Sequence, residues 1–228
     1  MISYEEKTPL KDLTLDNLFI DIGAKNAEEA RKLVQIGDFA VYEAPRFEQS
    51  GVLCGPYLDN RIGCVTLLLM MEQLADKEIE NDLYFVFTAQ EEVGLRGAGA
   101  AAFAVEPDAA IAVDVTDTGD LPEMKSAMAV ELGKGPAVKV MDRSVICTPA
   151  VVDALEQAAK DCGVSAQREI LLCGGTDTSA LQKARAGVQA GAVSIPTRYI
   201  HLRASCVRFP TSRTQQSCWH STHSENNR

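Results

Sequence analysis

The run Leu83-Tyr84-Phe85-Val86-Phe87-Thr88-Ala89-Gln90-Glu91-Glu92-Val93-Gly94-Leu95-Arg96-Gly97-Ala98 decides how the chain is read. Its first five residues are all apolar or aromatic, the composition of a strand buried on both faces. A loop with two adjacent glutamates and paired glycines follows, and residues 98–103 read as a helix. Upstream lies a predicted helix over 60–75, apolar on most faces through Ile62, Val65, Leu67, Leu68, Leu69, Met70, Met71 and Leu74. A helix that apolar is expected to be sandwiched inside a core. Further upstream, residues 18–22 and 39–42 read as strands. Residues 27–33 read as a short helix capped by Asn26. Downstream, residues 109–115 form an apolar strand. Thr148 caps a helix with Pro149 at its first position; Val151, Val152, Leu155, Ala159 and Cys162 keep helical spacing, and Gly163 ends it. Residues 169–172 and 191–200 supply two further strands. Repeated strand–helix alternation predicts a layered α/β fold with a largely parallel sheet flanked by helices.

Composition narrows the function. With 228 residues, 46% of them hydrophobic, the chain is long enough for one good-sized core. No uninterrupted apolar run of about 18 residues occurs, so no membrane span is expected. A net charge of −10 argues against nucleic-acid binding, which favours a basic face. The N-terminus lacks the pattern of a secretory signal. Seven cysteines, none in a C-x-x-C pair, predict reduced thiols in a cytoplasmic protein. Residues 202–228 depart from the rest. Four Arg against one Glu give +3, leaving about −13 on residues 1–201, and neither helical nor strand periodicity is present. This segment is expected to be a disordered tail.

Chemistry gathers at the ends of the predicted strands. Asp59, Glu91 with Glu92, Asp114 and His201 each fall just past one. Ligands of open α/β sheets bind outside the carboxyl ends of strands. Taken singly, each residue has a structural explanation: Asp59 a helix cap, the glutamates solvated surface, His201 a strand-end hydrogen-bonder. Together they would crowd carboxylates that repel one another unless a cation intervenes. His with Asp and Glu is ordinary zinc or cobalt coordination. Gly94, Gly97 and Gly99 lack the Lys-Ser/Thr of a phosphate loop.

Five motifs occur in order: Leu58-Asp59-Asn60-Arg61-Ile62-Gly63, the run from Thr88 to Ala98, Val113-Asp114-Val115-Thr116, Gly174-Gly175-Thr176-Asp177 and Ser194-Ile195-Pro196-Thr197-Arg198-Tyr199-Ile200-His201. Over residues 12–201 the set resembles the co-catalytic dinuclear-metal aminopeptidases, the metallopeptidase family 42 of glutamyl, deblocking and tetrahedral aminopeptidases, whose members are often labelled endoglucanases. The resemblance implies two divalent metal ions, zinc or cobalt. It makes Asp59 the bridging ligand, joined to Asn60 by a cis peptide bond. Glu92 and His201 would complete one site and Asp114 would serve the other. Glu91 would be the general base, and Gly174, Gly175, Thr176 and Asp177 would lie near the substrate pocket. Peptide substrates and a homo-oligomer, commonly a dodecamer, are implied as well.

The chain departs from that pattern twice. The family's upstream His-x-Asp motif, which supplies the remaining ligand of the Asp114 site, has no counterpart, since no His precedes His201. After His201 the basic tail replaces the family's Ser and final helix. The expected organisation is therefore a remnant of an inserted β-domain over 1–53, an incomplete catalytic domain over 54–201 and an atypical tail over 202–228. Weak or absent activity and a truncated or frame-shifted product are expected. A glycoside hydrolase, with two carboxylates as acid and base, and a non-catalytic fragment are the rival readings.

Overall fold

A computed structural model describes residues 2–4, 14–122 and 128–208. The expected tail beyond residue 208, including Cys218, lies outside them. The chain divides into two compact units, residues 1–42 and 43–228.

In the first unit, β1 (Ile2–Tyr4) pairs antiparallel with β2 (Leu18–Ile20). Helix α1 (Ala27–Leu33) forms where its cap predicts: Asn26 Oδ1 accepts from Glu29 N at 2.9 Å. Acidic residues occupy the first turn and Arg31 and Lys32 the last, matching the helix dipole. The predicted strand over 39–42 does not form, and Phe39 and Val41 are exposed. Its apolar run lacks a ladder partner among the described residues.

The second unit is built on a mixed sheet with helices packed against it. Its elements are β3 (Phe47–Gln49), β4 (Val52–Gly55), α2 (Leu58–Leu74), α3 (Arg96–Val105), β5 (Ala109–Thr116), β6 (Ala137–Met141), α4 (Pro149–Asp161), β7 (Gln167–Ile170), α5 (Thr178–Gln182), β8 (Gln189–Arg198) and β9 (Ser205–Arg208). Strand β8 is the hub. It pairs parallel with β5 from Ala109↔Gln189 to Thr116↔Pro196, antiparallel with β6, and at its end antiparallel with β9. β6 and β7 are parallel, while β9–β4 and β4–β3 are antiparallel. Helix α4 buries Val151, Val152 and Leu155 against Val138 and Cys147. The helix can lie this close because β8 presents Gly191, where a β-carbon would stand 2.6 Å from Val151 Cγ1. A second cluster joins Ile62 of α2 to Val115 of β5 and Val207 of β9.

Four expectations are corrected. Residues 83–87, predicted as a buried strand, join no ladder among the described residues, and Tyr84, Val86 and Phe87 are exposed. Strand composition alone does not make a strand; a partner edge does. Helix α2 is not sandwiched: it buries Ile62 and Gly63, and Val65, Leu68, Leu69 and Met71 face outward. One face packs on the sheet and no described layer covers the other. The stretch after His201, expected to be disordered throughout, contains β9, ordered by its neighbours β4 and β8. Finally, Cys54 and Cys206, expected as free thiols, form a disulfide. They are directly opposite residues of β4 and β9, a proximity that sequence separation conceals. Cys64, Cys147 and Cys173 are free thiols.

Candidate metal centre

Strand ends and sharp backbone turns bring the predicted residues together. After β4, Tyr57 takes a left-handed conformation (φ 59°), and the chain enters α2 through non-helical Asp59 and Asn60, joined by a cis peptide bond. Asn60 pins this entry: its Nδ2 donates to Val113 O of β5 at 2.8 Å, and its Oδ1 accepts from Gly63 N at 3.1 Å. The glutamate loop is shaped by left-handed Gln90 and Leu95. It is drawn onto α3 at Gly97, whose N–H donates to Ala89 O at 3.0 Å and whose missing β-carbon would lie 2.7 Å from Ala89 N. His201 follows β8 through left-handed Tyr199 and is itself left-handed.

Three of the predicted ligands meet. His201 Nε2 lies 3.1 Å from Asp59 Oδ2 and 3.4 Å from Glu92 Oε2. One donor atom from each lies within 4.8 Å of the others, the one such cluster of three among the described residues. Asp59 is half-buried while Glu92 and His201 are exposed, so the cluster opens to solvent. An imidazole nitrogen with two carboxylate oxygens at this spacing suits a divalent ion.

The other acidic residues surround this cluster without joining it. Asp114, at the end of β5, is 9% exposed, and its Oδ1 accepts from Val115 N at 2.8 Å. Burial pushes its carboxyl up to about 8 against the lowering effect of that hydrogen bond, with Glu91, Asp59 and Asp177 adding repulsion. Burial also raises Glu91 to about 7, assisted by the charges of Asp177, Glu92 and Asp59. Asp59 is raised first by burial and then by Glu92, and the nearby His201 opposes the shift. The direction is uniform: each of these carboxylates would ionise more easily beside a cation.

Gly174, Gly175, Thr176 and Asp177 form the turn before α5. Gly174 is left-handed (φ 72°). Thr176 is buried, its hydroxyl 2.9 Å from that of Thr178. Asp177 Oδ2 accepts from Thr88 Oγ1 at 2.7 Å, tying the turn to the base of the glutamate loop. Burial raises Asp177, and the Thr88 bond opposes this. Sequence reasoning missed Asn60 and Thr88 as supports, and missed Asp117, another carboxyl raised by burial and lowered by His201. Only the position of Asp117 just past β5 could have marked it.

A carboxylate–imidazole cluster outside strand ends of an α/β sheet is a donor set suited to a divalent metal ion. Residues 2–211 match the M42 glutamyl aminopeptidase family, and the chain belongs to it. A curated relative from Acetivibrio thermocellus is 49% identical over 201 residues, covering 88% of this chain and 60% of that protein. The aminopeptidase APDkam598 from Desulfurococcus kamchatkensis has a similar structure, with TM-score 0.90 and 34% identity over 98% of this chain and 64% of that one. Pyrococcus horikoshii TET1 peptidase, which can assemble into a tetrahedron or a large octahedral shell, is similar at TM-score 0.82 and 31% identity, over 97% and 64% of the two chains. The chain thus spans about 60% of the length of the Acetivibrio relative.

Proposed function

We propose that the chain carries the ligand cluster of a metal-dependent aminopeptidase that removes N-terminal residues from peptides. The observation that carries this reading is the convergence of Asp59, Glu92 and His201, together with membership of the family. These three residues would hold one divalent ion, zinc or cobalt. Asp59 and Asp114 would contribute to a second, which has no histidine beside Asp114 among the described residues. Bound there, such an ion supplies a Lewis acid for the scissile carbonyl.

Glu91 is the general base in this reading. Its carboxylate, next to the ligand Glu92, would accept a proton from water and return it to the departing amine. Asp177, anchored by Thr88, faces the same acidic environment and would help orient the free amine of the substrate. Gly174, Gly175 and Thr176 would shape the pocket wall beside it. Assembly into a homo-oligomer is proposed by analogy with the TET1 peptidase. No helix among the described residues is long and apolar enough to cross a membrane. A cytoplasmic location agrees poorly with the Cys54–Cys206 disulfide, which favours an oxidising setting.

Zinc titration followed by calorimetry tests the cluster. At least one ion should bind per chain, and His201→Ala should weaken that site at least about tenfold. Release of N-terminal residues should be chelator-sensitive, absent on glucans, and well below that of the longer Acetivibrio relative assayed beside it. Equal zinc affinity in the variant, or chelator-resistant release, would refute the reading.

A further inference from the structure

The two strands that bring Asp59 and His201 to the cluster are neighbours in the sheet, and a covalent bond joins them. Asp59 follows β4 and His201 precedes β9. The strands run antiparallel, with Val52 opposite Arg208, Leu53 opposite Val207, Cys54 opposite Cys206 and Gly55 opposite Ser205. The end of this ladder nearest both ligands is the Gly55–Ser205 pair, and the Cys54–Cys206 disulfide lies directly behind it. Cys54 stands five residues before Asp59, and Cys206 five residues after His201. The Asp59 side has its own anchor, Asn60 on Val113 O and Gly63 N. The His201 side is held more lightly among the described residues. Residues 199–204 join no ladder there. Ser205 Oγ and Leu202 N both donate to Tyr199 O, at 3.1 and 3.3 Å, and the exposed Arg203 donates to Glu43 O. Strand β9 has four residues and meets β8 at two positions. Pairing that short is marginal without further support. The disulfide is the covalent constraint on where His201 stands relative to Asp59. Both cysteines line a surface depression beside Phe47 and Tyr199. Cys54 is buried and Cys206 half-buried, so the Cys206 sulphur is the one a dissolved reagent meets first.

We infer that Cys54–Cys206 is a thiol-exchange site that controls metal binding at the Asp59–Glu92–His201 cluster, its reagent a low-molecular-weight thiol and the corresponding disulfide. The inference rests on the metal reading above. Closed, the bond keeps the Asp59 and His201 segments at ligand spacing; open, it leaves the lightly held His201 segment free to move away. The exchange has two steps. A reagent thiolate attacks Cys206 Sγ, forming a mixed disulfide and expelling Cys54 as a thiolate, which takes up a proton. A second reagent thiolate attacks the reagent sulphur of the mixed disulfide, releasing the reagent as its disulfide and Cys206 as a thiolate, which is protonated in turn. Two thiols are thereby oxidised to one disulfide, and two electrons and two protons pass to the protein. The reverse sequence closes the bond again. A thiol-rich setting thus opens the site and an oxidising one completes it.

Zinc titration by calorimetry tests this on the full chain in two states: oxidised in air, and reduced with dithiothreitol, then desalted and kept under argon. Alkylation and mass mapping should find Cys54 and Cys206 modified in the reduced sample alone. The binding that His201→Ala removes from the oxidised chain marks the cluster. That binding should be at least about tenfold weaker in the reduced chain, the scale on which groups supporting metal ligands act. Oxidised glutathione should restore it. Cys54→Ala/Cys206→Ala should bind as weakly as the reduced parent and respond to neither reagent, with the helical circular dichroism unchanged in every sample. Equal or tighter zinc binding in the reduced chain would overturn the inference and leave the metal reading standing. Zinc binding in neither state would remove the metal reading and this inference with it. Cysteines alkylated without reduction, or loss of helical signal on opening the bond, would also overturn it, the second because the bond would then hold the fold rather than the site.

Discussion

Replacing Lys139 with Met should destabilise the second unit more than almost any other single change. Lys139 of β6 and Glu169 of β7 are register partners whose side chains are fully buried and in direct contact. The remaining partners are few. Asp142 Oδ2 lies 3.8 Å from Lys139 Nζ, and Thr116 Oγ1 donates to Glu169 Oε1 at 2.8 Å. Glu169 Oε2 has no partner among the described residues. Without the lysine, Glu169 keeps one neutral hydroxyl, whereas Asp142 keeps the N–H groups of Ser144 and Val145 at 2.7 and 3.0 Å. The cost therefore falls on Glu169. Removing one partner of a buried pair costs about 3–5 kcal/mol, a fifth or more of a typical folding free energy of about 5–15 kcal/mol. Met conserves most of the stem volume, so little of the loss comes from a cavity. Urea unfolding at pH 7 measures it as a fall in midpoint at constant slope. The double variant Lys139→Met/Glu169→Met removes the stranded charge and should recover more than half of the loss, although Thr116 loses its acceptor. A single-variant loss under about 1 kcal/mol, or a double variant no more stable than the single, would refute the reasoning.

Two further predictions concern features away from the metal cluster. Arg198 holds the Asp120 carboxyl down at about 2, chiefly through a paired hydrogen bond to the guanidinium. Because the folded value lies below the unfolded one, the contribution is fully present above about pH 4 and is lost as pH falls through about 2. Asp120→Asn should cost about 1 kcal/mol at pH 7, allowing for the partial exposure of the pair. The gap between parent and variant in urea midpoint should close between pH 4 and pH 2. Gly191→Ala should overpack α4 against β8, costing about 1–3 kcal/mol, and Val151→Ala in the same chain should restore part of it.

Local signals were the readable ones. Asn26 before α1 and Thr148-Pro149 before α4 state their helices in a few residues, and the apolar run of α2 announces its length. What depends on a distant partner was hidden. Residues 83–87 have the composition of a strand, yet a ladder needs an edge that composition cannot report. Conversely, β9 is four residues in an aperiodic stretch and becomes a strand because β4 and β8 flank it. Lys139 and Glu169 look like surface charges until β6 and β7 are placed in register. The ligand cluster was legible because strand ends converge in this class of sheet: Asp59 follows β4 and His201 follows β8, while Glu92 reaches them on a loop that no described strand precedes. The same rule gave no reason for Asp114 to stay buried on its own strand end, held by Val115 N, outside the cluster.

The bond between Cys54 and Cys206 closes a covalent ring across a sequence separation of 152 residues. Asp59, Glu91, Glu92, Asp114, Asp177 and His201 all lie on that ring. A single peptide-bond cleavage anywhere within it linearises the ring without releasing a piece, so a nicked chain migrates as one species until a reductant is added. The cluster is in this sense topologically protected: two cuts, or one cut and one reduction, are needed before any of its residues can part company from the others.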